Sequence, residues 1–127
     1  MAFFLGEKMK FADTHEWIKV TDRVGTVGIS KHAQKELGEI VYVELPRIGK
    51  KAKAGEEAAV LESTKAATDI YSPVSGTIAE VNTALSSAPD LVNTSPEKEG
   101  WLYKIEMDNL EELDRLMNSS EYYAKFS

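Results

Sequence analysis

The sequence predicts a mainly β domain, a sandwich or flattened barrel with short helices and a helical tail. Three observations carry that expectation. Short β-rich runs broken by glycine and proline fill most of the chain. Nothing alternates strands with long helical stretches, as a parallel α/β sheet would require. Helical spacing of apolar residues becomes strong only after Asp108. With 127 residues, the chain has the length of one domain. A globule of that size hides roughly two-thirds of its unfolded surface, enough for a core without disulfide or metal.

The elements follow in order. Glu16 to Val20 and Val24 to Ile29 flank Thr21-Asp22-Arg23 and form a hairpin. Ser30 is the N-cap of a brief helix, with Ala33 and Leu37 on one face and Gly38 as its stop. Ile40 to Leu45 is a β-rich run ended by Pro46 and a turn at Ile48-Gly49. Ala58 to Glu62 and Thr68 to Tyr71 make the next strand pair, before Pro73 and Gly76, and Thr77 to Val81 alternates as a half-buried strand does. Periodicity lapses from Asn82 to Gly100, which predicts a long loop. Trp101 to Met107 resumes a strand. From Asp108 the pattern is helical, with Asn109 as cap, Glu112 at box-like spacing, and Leu110, Leu113, Leu116 and Met117 as a stripe docking on the β core. Ser119 or Ser120 caps a last short helix ending near Phe126.

Composition excludes several functions. The net charge is −6, which repels phosphate and disfavours nucleic acid, and there is no basic excess to draw the chain to anionic lipid. The absence of cysteine removes disulfides, thiolate catalysis and cysteine metal sites. Two histidines, His15 and His32, are too few, and too distant in the chain, for a standard zinc site. No apolar run approaches the roughly 18 residues of a membrane span. Residues 1–8 make a poor signal peptide, and Met9 offers a second start. They read as an N-terminal extension or expression remnant ahead of a single domain over 9–127, with the cytoplasm as the default location. There is no Gly-rich phosphate loop, no His-Glu-x-x-His and no G-x-S-x-G. Glu56-Glu57 and Glu111-Glu112 read as solvated charge. By its own side chains the protein is chemically idle, and not an enzyme.

The informative segment is Val60-Leu-Glu-Ser-Thr-Lys-Ala-Ala-Thr-Asp-Ile-Tyr-Ser-Pro-Val-Ser-Gly76. Two strands meet at a small polar turn, and Lys65 lies at or beside its tip between Thr64 and Ala66, neighbours that leave the amine accessible. An exposed hairpin lysine means nothing by position alone; the frame around it changes that.

Across the chain, Thr14-His-Glu-Trp-Ile, Val27-Gly-Ile-Ser, Ala33-Gln34, Leu37-Gly38-Glu39-Ile40-Val41 and Val43-Glu-Leu-Pro46 occur in order. They are followed by Glu62-Ser-Thr-Lys-Ala-Ala, Ser72-Pro-Val-Ser-Gly76, Glu80-Val-Asn, Leu91-Val-Asn, Gly100-Trp-Leu and Glu121-Tyr-Tyr. This ordered set, over roughly residues 10–125, resembles the H-proteins of the glycine cleavage system. Each piece is weak; the series is specific. Biotinyl domains generally flank their lysine with methionine, and lipoyl domains of 2-oxo acid dehydrogenases usually place aspartate before it. Thr64-Lys65-Ala66 does neither.

The resemblance implies a barrel-sandwich hybrid of the lipoyl/biotinyl kind, with lipoic acid in amide linkage to Lys65. It implies a carrier that takes the aminomethyl group of glycine from a pyridoxal-phosphate decarboxylase (P-protein) to an aminomethyltransferase (T-protein). A dihydrolipoyl dehydrogenase (L-protein) then reoxidises the arm. A lipoylating enzyme is a further partner, the carrier itself is a monomer, and a eukaryotic source would place it in the mitochondrial matrix. The resemblance also implies that Thr14, Glu16, Leu37 and Asp69 lie beside the arm, where carboxylates would hold a positively charged aminomethyl group. Thr64 stands where the family usually has valine, and Glu36 where some members have histidine; His32 is left as a surface or capping residue. Two other functions stay open: a lipoyl relay or redox role outside glycine cleavage, and an interaction module with Lys65 unmodified.

Overall fold

A computed structural model describes residues 9–126; the proposed extension, residues 1–8, lies outside the described residues. Ten strands and three α-helices follow in chain order. They are β1 (Met9–Phe11), β2 (Glu16–Thr21), β3 (Val24–Ile29), α1 (Lys31–Leu37), β4 (Ile40–Glu44), β5 (Lys51–Ala52) and β6 (Glu57–Ser63). Then come β7 (Ala67–Tyr71), β8 (Gly76–Val81), α2 (Leu91–Thr94), β9 (Tyr103–Met107), β10 (Met117–Asn118) and α3 (Ser119–Phe126). One sheet has the order β10-β1-β2-β3-β9-β8-β5, the other β4-β6-β7. All pairings are antiparallel. Side chains from both sheets share one core, including Ile18, Val27, Ile40, Leu61, Ile78 and Ile105, as the expected barrel-sandwich hybrid requires.

β2 is buried on both faces. Successive strand residues point oppositely, so Ile18 enters the main core while Trp17 joins a second cluster with Phe11 and Tyr122. α3 supplies the outer cover. Gly28, paired with Trp17 across the ladder, leaves room for the indole: a Cβ there would stand 2.7 Å from the Trp17 ring. The indole N–H donates to the Pro96 carbonyl at 3.0 Å.

Two expectations need correction. The stretch from Asn82 to Gly100 is not a structureless loop. It holds a 3-10 turn over Thr83–Ser86 and the short helix α2, which insert Leu85 and Val92 into the core. Elements of four residues offer one core side chain each, too few to show a period. The Asn82 amide fastens the segment, donating to the carbonyls of Glu99 and Trp101 at 2.9 and 2.8 Å.

The tail differs as well. Asn109 does cap a helical segment, accepting from the Glu111 N–H at 2.9 Å, but that segment is a 3-10 helix over Leu110–Arg115. Glu112 closes no box; its carboxylate takes the Ser75 N–H and hydroxyl at 2.7 and 2.9 Å. Leu113 and Leu116 reach the main core, and Met117 the second cluster, while Leu110 stays 38% exposed. Met117 and Asn118 then pair with β1, and the stripe is broken because a strand edge claims its end. Asn118, rather than Ser119 or Ser120, caps the last helix: its side chain accepts from the Glu121 N–H at 2.8 Å and Glu121 returns the bond at 2.9 Å, a reciprocal box.

Candidate functional site

Lys65 stands at the tip of the β6–β7 hairpin. Glu62 pairs with Ala67, and the turn is closed by the Ser63 N–H donating to the Ala66 carbonyl at 2.9 Å. The Ser63 hydroxyl accepts from the N–H groups of Lys65 and Ala66 at 3.0 and 3.2 Å. A serine that binds backbone two residues on is a local turn device. The tip is pinned from outside too, because the Thr64 N–H donates to the Glu39 carbonyl at 3.0 Å. Lys65 itself is exposed. Among the described residues the ion pairs are His32–Glu36 and Lys104–Glu80, so the Lys65 ammonium is held by neither.

Its stem rests on the end of α1. Ser30 caps that helix as expected, accepting from the Ala33 N–H at 3.0 Å. Gly38 ends it at φ +82°, a conformation that glycine adopts without strain. A Cβ on Gly38 would stand 3.2 Å from Lys65 Cε and 3.6 Å from Nζ. The glycine thus serves the helix stop and the lysine stem together. Leu37, half-buried and packed against the core, lies one residue earlier. Asn93 fixes the same corner, bonding the N–H and carbonyl of Ile40 at 2.8 and 3.0 Å and the Gln34 amide at 3.2 Å.

Thr14 and Glu16 come together at the other end of the hairpin. Glu16 is 1% exposed. Its carboxylate accepts the Thr14 hydroxyl and, at 3.1 Å, the N–H of Tyr71, the last residue of β7. Burial pushes its pKa up to about 7, against the downward pull of those two hydrogen bonds. A cleft of about 360 Å³ opens beside it, lined by Asp13, Thr14, Tyr71 and Ser72 among others. From Ala67 to Tyr71 the strand covers about 13 Å, so the Thr14–Glu16 pair and Lys65 sit at opposite ends of one strand. Asp69 is exposed midway along β7, opposite Val60, and forms no side-chain hydrogen bond or ion pair among the described residues. The structure therefore joins Thr14 to Glu16 and sets Leu37 beside the seat of Lys65, while Asp69 stands apart.

Ser63, Asn93 and the seat offered by Gly38 were not part of the expected site. Ser63 was legible as a turn former; Asn93 stood out only as the end of the Leu91-Val-Asn piece, and its action on Ile40, 53 residues away, was not legible. His32 is more than a surface residue. Its ring lies 4.9 Å from that of His15 and its Nε2 3.7 Å from the Glu36 carboxylate. Distance along the chain hid that proximity. No group of three or more metal-binding side chains forms among the described residues.

Comparison with known proteins agrees with this geometry. The family model described as glycine cleavage H-protein matches residues 9–127. A glycine cleavage system H protein of Alcanivorax borkumensis is 52% identical over 118 residues, 93% of this chain and 92% of that protein. One from Thermotoga maritima is 50% identical over 113 residues, 89% and 91% of the two chains. The crystal structure of an H protein from Mycobacterium marinum superposes with a TM-score of 0.85 at 35% identity, covering 94% of this chain and 96% of that one. With a pinned hairpin lysine, two facing sheets and matches that run almost end to end, the chain belongs to the glycine cleavage H-protein family.

Proposed function

We propose that the protein is the lipoyl carrier of glycine cleavage, taking the aminomethyl group of glycine from a P-protein to a T-protein, with an L-protein reoxidising the arm. It acts as a shuttled substrate and not as an enzyme. The observation that carries this reading is Lys65: an exposed amine on a turn fixed by Ser63 and Glu39, in a chain of this family. Lipoic acid in amide linkage to Lys65 fits that presentation, because the amine is in no ion pair among the described residues and the amide removes its charge. When bound, lipoate supplies the dithiolane that accepts the one-carbon unit and is afterwards reoxidised.

The chain's own residues orient and receive the arm. Gly38 and Leu37 form the seat of its root. Thr14 and Glu16, beside the cleft at the far end of β7, offer a buried carboxyl that strengthens its interaction with a cation as water is excluded. Asp69 adds an exposed carboxylate between the two. Residues 9–127 act as one lipoyl-carrier domain, monomeric, with residues 1–8 as an extension or expression remnant. The natural setting is the cytoplasm, or the mitochondrial matrix of a eukaryote; no helix of the described residues is long and apolar enough to cross a membrane.

The test is intact mass after co-expression with a lipoate ligase, followed by assay with P-protein and glycine. One added lipoyl group, lost in Lys65→Arg, together with glycine-dependent decarboxylation, is the expected result. A Lys65→Arg protein that still gains the group, or lipoylated protein that P-protein ignores, overturns the reading.

A further inference from the structure

Tyr122 is fully buried on α3, its ring stacked on Phe11 at 4.4 Å between centroids. Its hydroxyl is held between two other elements: His15 Nδ1 at 2.6 Å and Ser30 Oγ at 2.7 Å. Ser30, equally buried, accepts the Ala33 N–H. Burial, and the neighbouring His32, hold the His15 pKa below its ordinary value, which favours the neutral ring. One series of hydrogen bonds thus joins the Ala33 N–H, Ser30, Tyr122 and His15. A hydroxyl can both donate and accept, and hydrogen bonds joined in a chain reinforce one another.

The helix capped by this chain has seven residues, far fewer than a helix needs to persist alone. Its order depends on its cap and its packing. Its far end meets the lysine hairpin twice, through Gly38 under the Lys65 stem and through the Glu39 carbonyl that receives the Thr64 N–H. We propose that Tyr122 is a positioning residue for Lys65, fixing through Ser30 the helix whose far end seats the lysine and pins its turn. This deepens the proposed function, resting on Lys65 as the attachment site, and gives α3 a part in presenting it.

Amide hydrogen exchange of the full, unmodified chain tests the proposal. Tyr122→Phe keeps the ring on Phe11 and removes only the hydroxyl; Ser30→Ala removes the cap. Both variants are expected to exchange the N–H groups of Gly38 and Thr64 about fivefold faster, the factor that loss of a typical N-cap corresponds to. Ile105, in β9 and away from these contacts, keeps its rate. The double variant is no faster than Ser30→Ala, because the hydroxyl acts through Ser30. With a lipoate ligase, Tyr122→Phe raises KM about as much and leaves kcat unchanged. Acceleration spread equally to Ile105, or confined to Ala33 with Thr64 unaffected, overturns the proposal. Should Tyr122→Phe fail to fold, Ser30→Ala decides between the same outcomes. A wild-type chain that takes no lipoate would remove Lys65 as the attachment site, and the exchange rates would still tell whether Tyr122 reaches the hairpin.

Discussion

The Glu16 carboxylate accepts the backbone N–H of Tyr71 at 3.1 Å, so the residue that opens β2 fastens the root of the hairpin that carries Lys65. Tyr71 ends an edge strand of the smaller sheet, where an unpaired N–H would otherwise face solvent or another chain. The bond stitches the two sheets together at that edge.

Glu16 gives the protein a stability term that weakens as pH rises. Its folded-state pKa of about 7, against 4.5 when unfolded, means that the native state binds the proton more tightly. Stability is greatest below about pH 4.5 and declines until about pH 7, by about 3 kcal/mol in all. Glu16→Gln keeps the shape and an acceptor for Tyr71 while removing the titration. Urea unfolding of both proteins is expected to show the variant gaining on wild type from about pH 5 to about pH 8. A constant difference would show that the buried carboxyl titrates normally.

His15 acts with the opposite sign. Burial and then His32 lower its pKa, while Glu36 and Asp13 oppose them. A base with a depressed pKa contributes stability above its unfolded value of 6.5, and loses it as pH falls through that value toward the folded one. Protonation makes both ring nitrogens donors and places a positive charge against the Tyr122 hydroxyl. Amide signals of α3 are therefore expected to broaden or shift as pH falls below 6.5, and His15→Gln should abolish that response. A response unchanged in the variant would assign it to another group.

Gly38→Ala is expected to cost about 1–2 kcal/mol, because an L-residue is strained in the left-handed region. The new Cβ also meets Lys65 Cε at 3.2 Å, so lipoylation should slow in addition. Thermal unfolding measures the first effect and ligase kinetics the second. Normal modification of a destabilised variant would mean that the lysine does not use this seat.

Asn118→Ala removes one half of the reciprocal cap on α3 and is expected to cost about 1 kcal/mol. Because α3 covers Trp17, indole fluorescence should report the loosening before the far-ultraviolet signal of the sheets changes. Simultaneous change of both signals would indicate that α3 unfolds only with the whole domain.

What was legible in the sequence was local. Ser30 and Gly38 announce a helix start and stop within nine residues, and the strands beside Lys65 carry their own alternation. The lysine tip follows from these neighbours. What was not legible depends on distant partners. Glu112 has the spacing of a capping box but finds Ser75, and Met117 leaves its helical stripe because β1 offers an open edge. Glu16 lies in a polar stretch after Asp13 and Thr14, yet Tyr71 and Thr14 together satisfy its carboxylate in a dry place. Leu85 and Val92 sit in apolar pairs, Ala84-Leu85 and Leu91-Val92, too short to show a period, so no window reveals them as core.

β1 near the start of the fold is joined on its outer side by β10, and Phe11 and Trp17 lie beneath α3. During synthesis Phe11 and Trp17 emerge about a hundred residues before their cover. Until residues 117–126 leave the ribosome, those two aromatic side chains lack the cover of Met117 and Tyr122. The earliest part of the chain is thus the last to be finished, and an interrupted copy displays an aromatic face that marks it for chaperone or protease.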